Sequence, residues 1–356
     1  MSFELPLPPS VQKSQAETKV RYVQVGKSGL RVSWPILGCM TLGSSGAMPW
    51  NLDEEESLKV LKAAYDNGVN TWDTANCYGN GINEELIGKA IKQFGIPRHK
   101  LTILSKCYYE VGEEDDVFSF GYGSLLKQDK NYVNQGGLSR TAIFNQVEAS
   151  LTRLGTSYID LYQIHRLDES TPMEEIMKAL HDLVQSGKVR YIGASAMLAT
   201  QFAQMQFIAE KNGWTKFISV QNYYNLCFRE EEREMIRFCK ATGVGIIPFS
   251  PMYAGKLAKP LGTNDSVRSQ IPFPLHPFTK ADEEIIRRVE KIANDKGWKM
   301  AHVALLWHQS KGTIPIVGVN SVKRLEDLGP LKDKELSKED LEYLEEPYEA
   351  RAPART

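Results

Sequence analysis

Several things are scarce in this chain. It has five cysteines in 356 residues, an odd number, and no CxxC spacing. A disulfide framework is therefore not expected, and reduced thiols in a reducing compartment are. Neither sign of charge is in excess: 43 basic residues stand against 44 acidic ones, for a net charge of −1. Without a basic stripe, binding to nucleic acid or another polyanion has no electrostatic footprint. No apolar run reaches membrane-spanning length, and the polar, Pro-rich start (Met1–Glu17) lacks the basic-then-apolar pattern of a signal peptide. The expectation is a cytoplasmic protein that uses no membrane. There are only six histidines, and one of them, His165, falls at a strand end, so a metal site built from clustered ligands is not expected. The short acidic runs Asp53–Glu56, Glu113–Asp116 and Glu230–Glu232 read as solvated faces or helix starts.

What is present is a strict alternation. Residues 1–19 read as a flexible arm, and 20–356 as one domain. Tyr22–Ser33 reads as two short strands around a Gly-containing turn, a β-hairpin. Eight short apolar runs follow: Trp34–Gly38, Asn70–Asp73, Leu101–Lys106, Ile159–His165, Val189–Ala194, Phe217–Gln221, Gly245–Phe249 and Thr313–Val317. Between them lie amphipathic stretches. Arg140–Leu154, for example, puts Ile143, Val147, Leu151 and Leu154 on one face. Eight strand–helix units predict an α/β fold, a (β/α)8 TIM barrel with an N-terminal hairpin. Two segments exceed a minimal barrel: Cys107–Gly137, rich in aromatics, and the Pro/Gly-rich Met252–Lys280. Both follow strands, so both are expected as long loops on the C-terminal rim, where barrel active sites sit.

The predicted strand ends carry chemistry. Strand two ends in Asp73, strand three in Lys106, strand four in His165, and Tyr78 follows strand two. Each alone has a bland explanation, such as a helix cap, a rim charge or a packed ring. Four at neighbouring strand ends make a chemical set. Adding hydride to a carbonyl makes an alkoxide-like oxygen, which needs a proton and charge stabilisation. A phenol holds its proton tightly, and a nearby ammonium favours the phenolate by roughly 4 kcal/mol at about 4 Å and an effective dielectric of ~20. Asp73 is expected to hold Lys106 in place while cancelling part of that field. A neutral His165 is expected to orient the carbonyl oxygen. The expectation is thus a Tyr78 phenol whose pKa is lowered.

These blocks resemble the aldo-keto reductase superfamily over about Tyr22 to Leu328. Asp73-Thr-Ala-Asn-Cys-Tyr78-Gly79 followed by Asn83-Glu84-Glu85-Leu86-Ile87-Gly88 is similar to its aspartate and tyrosine signature. Leu101–Lys106 resembles its lysine strand, Leu154–Arg166 its histidine strand, and Gly187–Ser195 a further block. Asp160–Asp168, Val220–Asn225 and Arg229–Glu234 resemble fungal reductases of the versiconal hemiacetal acetate reductase and aryl-alcohol dehydrogenase kind. The resemblance implies the barrel fold and an extended NADPH across its rim, and the chain has no G-x-G-x-x-G. It implies Asp73, Tyr78, Lys106 and His165 as the catalytic tetrad, with Tyr78 as proton donor.

It also implies cofactor contacts, residue by residue. Gly38 and Thr41 fall near the nicotinamide ribose, Asp73 beside it, Ser195 and Gln221 at the carboxamide, and Phe249 against the ring. Ser250, Met252, Gly255 and Leu257 fall over the pyrophosphate. Gly318, Ser321 and Arg324 fall at the 2′-phosphate, which the rigid fork of arginine suits, with Lys323 as a helper, and Asp327 toward the adenine. Ala196 and Leu328 depart from the pattern, each standing where asparagine is frequent. Trp50, Tyr108, Tyr109 and Tyr224 are expected to line an apolar substrate pocket, with Tyr223, Phe118, Phe120 and Tyr122 as further candidates. The implied partner is a small-molecule carbonyl, aromatic or polyketide-like, and no feature defines an oligomeric surface. A cofactor-sensing accessory protein on the same barrel is the alternative. Cys39, Cys77 and Cys107 near the mouth read as packing rather than redox residues.

Overall fold

The structure is a computed structural model. It describes residues 6–43, 49–114, 117, 122, 125–263, 277–329, 331 and 333–352. Each of the eight apolar runs coincides with a strand to within a few residues at either end. They are β3 (Ile36–Gly38), β4 (Thr71–Asp73), β5 (Thr102–Cys107), β6 (Ile159–Ile164), β7 (Val189–Ser195), β8 (Ser219–Gln221), β9 (Gly245–Ile246) and β10 (Ile316–Gly318). All neighbours are parallel, in the order β10-β3-β4-β5-β6-β7-β8-β9. The sheet curls until its edges meet. Ile314 N donates to the Ile246 carbonyl at 2.9 Å and Ile316 N to the Pro248 carbonyl at 3.0 Å. Every backbone edge is thereby satisfied, and the sheet closes as a (β/α)8 barrel.

The expected hairpin forms as β1 (Arg21–Gln24) paired antiparallel with β2 (Arg31–Trp34). It covers the N-terminal mouth. Trp34 Nε1 donates to the Thr313 carbonyl at 2.9 Å, and Ser33 N to Thr71 Oγ1 at 2.9 Å. The hairpin turn presses on the start of β9: a Cβ on Gly26 would lie 2.3 Å from the Gly243 carbonyl oxygen, and its φ is +56°. Only glycine fits that contact. With one mouth closed, the opposite rim is left for ligands.

Amphipathic helices cover the outside. The one at Glu54–Asp66 opens with three acidic residues, which complement the positive end of its dipole. The one at Arg140–Leu154 is capped by Ser139 Oγ and stops at left-handed Gly155, as helices commonly do. The segment read as a flexible arm contains one regular element. Pro9–Glu17 is a helix with none of its residues buried; Pro at its first turn is compatible with helix initiation, a signal the polar composition hid.

The acidic run Glu230–Glu232, read as a solvated face or a helix start, forms a turn of 3-10 helix but not a solvated face. Glu230 is buried and accepts from Tyr348 Oη at 2.7 Å and Arg351 N at 2.9 Å. Arg229 pairs with Glu345 at 2.7 Å. The partners come from the C-terminal segment, more than a hundred residues away, so local sequence gave no hint of them. No helix among the described residues is long and apolar enough to cross a membrane.

Candidate active site

Asp73 ends β4, Lys106 is the penultimate residue of β5, and His165 directly follows β6. The parallel register puts all three on one rim. Lys106, fully buried, donates from Nζ to Asp73 Oδ1 at 2.6 Å, to the Thr74 carbonyl at 2.8 Å and to Tyr78 Oη at 3.3 Å. The His165 ring meets Tyr78 edge-on, centroids 5.8 Å apart. The four residues expected at neighbouring strand ends are therefore brought together.

The loop carrying Tyr78 is held from three sides. Asn83 Nδ2 donates to the Cys39 carbonyl at 2.6 Å and also to that of Leu42. Glu84, with no exposed surface, accepts from Arg153 Nε at 2.8 Å and from Ser105 Oγ. Asn76 Nδ2 donates to the Tyr109 carbonyl at 2.7 Å. The Asn83-Glu84 pair of the signature therefore serves geometry: it ties the tyrosine loop to β5 and to the strand–loop junction after β3.

Electrostatics departs from expectation at one point. Burial is the largest influence on Tyr78 and pushes its pKa up to about 12; Lys106 opposes this and Asp73 adds to it. The expected lowering is thus reversed, because desolvating a phenolate costs more than the half-cancelled ammonium returns. Burial also works against the ammonium of Lys106, but Asp73 and Tyr78 outweigh it and hold its pKa above the ordinary value. Burial, then Lys106 and Arg166, push His165 well below the ordinary imidazole value. The resting site therefore holds a phenol, an ammonium and a neutral imidazole.

Sequence reasoning missed two residues. Gln163 lies two positions before His165, on the same face of the strand. Its Nε2 donates to Asp73 Oδ2 at 3.2 Å, and its Oε1 accepts from Gln221 Nε2 at 3.1 Å. The period-two alternation of a strand contained that signal. Arg166, next to His165, donates to the His165 carbonyl at 3.2 Å.

The cofactor positions divide. Ser195 and Gln221 are direct partners across β7 and β8, and Ser195 Oγ donates to the Gln221 carbonyl at 2.7 Å. The Gln221 amide is turned down to Asp73 Oδ2 at 3.0 Å. The neighbouring buried Asn222 has an Oδ1 without a hydrogen-bond partner among the described residues. Phe249 is half-buried, with its ring tilted on Tyr223 at 5.5 Å. The segment after it has left-handed backbone at Ser250, Tyr253, Ala254 and Gly255. Such a run of uncommon conformations is a marker of function. Met252 is half-buried there. Leu257 is fully buried in the core, so only its backbone faces that segment's surface.

At β10, a Cβ on Gly318 would meet nothing nearer than the Gly38 carbonyl at 3.8 Å, which leaves the strand end open to a close ligand. Gly38 itself is filled by Ile316, 2.9 Å from such a Cβ. Thr41 Oγ1 donates to the Val319 carbonyl at 2.9 Å, binding the two strand ends together. Ser321 Oγ caps the following turn of helix by accepting from Arg324 N at 3.2 Å. The Arg324 side chain and Lys323 are exposed. A buried amide oxygen unpaired among the described residues, an open glycine and an exposed guanidinium fit a dinucleotide. Asp327 does not join them: its carboxylate pairs with Lys299 and its carbonyl faces His302 Nε2 at 2.7 Å. It is occupied by a helix–helix tie.

The aromatic candidates divide too. Tyr109 meets the His165 ring edge-on at 5.2 Å, and Tyr108 meets Tyr109 at 4.9 Å. Trp50 is half-buried on the loop that the Leu42–Leu52 bridge closes. Tyr224 is not on the mouth. It is 1% exposed, packs on Trp307 at 5.0 Å, and its Oη donates to Glu232 at 2.6 Å. Tyr223 is likewise buried, behind Phe249. Strand alternation was the warning, since successive residues cannot both face the lumen. Tyr122 is 44% exposed; Phe118 and Phe120 lie outside the described residues. All five cysteines are free and buried. Burial pushes the thiols of Cys77 and Cys107 up to about 12 and that of Cys39 higher still, so they are protonated packing groups.

A closed parallel barrel with Asp, Tyr, Lys and His converging at its C-terminal rim and no Rossmann fingerprint defines a narrow class. The sequence model of the aldo/keto reductase family matches residues 36–349. The chain belongs to that family and is an oxidoreductase of the kind that generally uses NAD(P)H on small-molecule carbonyls. It is 51% identical over 353 residues to an aldo-keto reductase of Metarhizium robertsii, covering 97% of this chain and 95% of that one. It is 47% identical over 339 residues to versiconal hemiacetal acetate reductase of Aspergillus parasiticus (94% and 98%), and 48% identical over 340 residues to a putative aryl-alcohol dehydrogenase of Schizosaccharomyces pombe (92% and 95%).

Proposed function

We propose that the protein is a cytoplasmic NADPH-dependent reductase that converts bulky aromatic or polyketide-like aldehydes and ketones to alcohols, with Tyr78 as the proton donor. The observation that carries this reading is the contact of one buried ammonium, Lys106, with both Asp73 at 2.6 Å and Tyr78 Oη at 3.3 Å. When bound, the cofactor supplies the hydride. The rest is chemistry of the chain. The carbonyl oxygen lies against Tyr78 Oη and the neutral imidazole of His165, which donates a hydrogen bond and fixes its angle. As charge grows on that oxygen, Tyr78 gives up its proton. The phenolate left behind sits beside Lys106, whose charge is worth most once the substrate has excluded water. Asp73, itself steadied by Gln163 and Gln221, keeps the ammonium aimed.

Ser195, the Asn222 oxygen, Phe249 and the backbone of 250–257 would hold the nicotinamide and pyrophosphate portions, and Arg324 the 2′-phosphate. Tyr108, Tyr109 and Trp50 supply an apolar wall that suits aromatic carbonyls. The names of two of these relatives, a versiconal hemiacetal acetate reductase and a putative aryl-alcohol dehydrogenase, support a bulky oxygenated ring substrate, and secondary metabolism is part of the same proposal. Buried reduced thiols support the compartment.

The test is cofactor oxidation with a panel of aromatic and short aliphatic aldehydes, using NADPH and NADH in parallel. The reading expects aromatic carbonyls and NADPH to be preferred. It also expects Arg324→Ala to lower the NADPH preference by about tenfold while leaving NADH unchanged. Faster turnover of the short aliphatic aldehydes would refute the pocket, and equal use of both cofactors would refute the phosphate site.

A further inference from the structure

The residue after His165 is an arginine, and its surroundings set it apart from the other rim cations. Arg166 is half-buried just beyond the C-terminal end of β6. It donates to a neutral acceptor, the His165 carbonyl, at 3.2 Å, and its side chain also bonds that of Tyr109. Among the described residues, no carboxylate lies within ion-pair distance of it. The two acids nearby are otherwise engaged. Asp168 accepts from Leu138 N at 2.9 Å, Ser170 N at 3.1 Å, Ser170 Oγ at 2.5 Å and Thr171 Oγ1 at 2.9 Å, which uses up its oxygens. Glu110 is buried, and desolvation raises its pKa.

Arg166 is nevertheless close to the reactive centre. After burial, it is the largest influence on Tyr109, and it also acts on His165, Cys77 and Tyr108. Those rings are contiguous: Tyr108 on Tyr109 at 4.9 Å, Tyr109 on His165 at 5.2 Å, His165 on Tyr78 at 5.8 Å. A ring substrate whose carbonyl sits between Tyr78 and His165 would run along Tyr109 and bring its far substituent to Arg166. A half-buried guanidinium with no carboxylate paired to it among the described residues is poorly solvated and gains most from an anionic oxygen, which it can hold through two parallel bonds.

We propose that Arg166 is a specificity residue that selects aromatic carbonyl substrates carrying an ionised oxygen substituent, a carboxylate or an acidic phenolate, remote from the reacting carbon. This rests on the carbonyl-reductase reading and deepens it. The lone charge explains how an otherwise apolar wall distinguishes among aromatic carbonyls, and it disfavours wholly hydrophobic substrates that would bury the guanidinium unpaired.

The test compares 4-carboxybenzaldehyde with its neutral methyl ester in wild type, Arg166→Met and Arg166→Lys. Methionine keeps the length of the stem without the charge. The proposal expects wild type to favour the acid by about tenfold or more in kcat/KM, mostly through KM. Arg166→Met abolishes that preference by losing far more on the acid than on the ester, and Arg166→Lys restores part of it. An equal fall on both substrates, or no preference in wild type, overturns the proposal. Binding of terephthalate, a dianion that cannot be reduced, is read in parallel by quenching of protein fluorescence. Weakening by about tenfold or more in Arg166→Met supports the anion site and unchanged affinity overturns it, whether or not either aldehyde turns over. Absence of turnover with both aldehydes counts against the reductase reading alone.

Discussion

The rim of this barrel has two unlike halves. On the β4–β6 side, side chains do the work: Asp73, Tyr78, Lys106 and His165 are at least nine-tenths buried and touch one another. On the β8–β10 side, the backbone does most of it, through left-handed residues at 250 and 253–255, an open Gly318 and a capped turn at Ser321, with few charged groups. The contrast follows from what each half is proposed to hold. A reacting carbonyl needs groups of definite proton affinity, which only side chains supply. A long dinucleotide needs many modest contacts along an arc, which main-chain atoms supply without bulk. The first half concentrates its energy in a few atoms, and the second distributes it.

That difference makes the halves fail differently. The largest effect is expected at Lys106→Met. It removes the charge beside Tyr78 and leaves Asp73 buried without its ion partner, so kcat should fall by about a hundredfold or more, and stability by about 3 kcal/mol. NADPH affinity should change little. Steady-state kinetics with a fluorescence binding titration separate the two, and a variant that loses affinity but keeps kcat would break the division. Next is Arg351→Ala on the far half. Arg351 pairs with fully buried Asp282 at 2.8 Å, and Asp282 receives Tyr253 Oη at 3.4 Å from the 250–258 segment. Loss of the pair should cost about 3 kcal/mol in denaturant unfolding and raise the Kd for NADPH several-fold, with the chemical step in single turnover unchanged. A slowed chemical step would mean that the halves are coupled.

The smallest effect concerns pH. Tyr78, with its pKa at about 12, keeps its proton as pH rises, and His165, well below its ordinary value, stays neutral as pH falls. Reduction should therefore have a flat kcat/KM profile from roughly pH 6 to 9, whereas alcohol oxidation, which needs the phenolate, should rise with pH toward about 12. A break in the reduction profile near pH 6.5 would mean that His165 titrates in the mechanism.

The same contrast decides what could be read from sequence. Eight β-branched runs and the strand-end chemistry of Asp73, Tyr78, Lys106 and His165 were legible because periodicity and residue type are local. Even β9, with only Gly245 and Ile246 in the ladder, lay inside a longer apolar run, Gly245–Phe249, which the chain-closing bonds to Ile314 and Ile316 then explain. Features set by the whole fold were not legible. The direction of the Tyr78 shift depends on how much protein covers the ring. Tyr224 and Asp327 carry the right residue types but are taken up by Glu232 and Lys299. Glu230 looks solvated until the C-terminal Tyr348 and Arg351 are known to reach it. Gln163 was readable, being on the His165 face of its strand, but an amide draws less notice than a charge.

The central claim is that Tyr78 delivers the proton, and one comparison tests it most directly: single-turnover reduction of an aromatic aldehyde by wild type and Tyr78→Phe, with NADPH affinity measured on both. The account predicts a fall in the chemical rate of about a hundredfold or more with affinity unchanged, and an unchanged rate in Tyr78→Phe would contradict it.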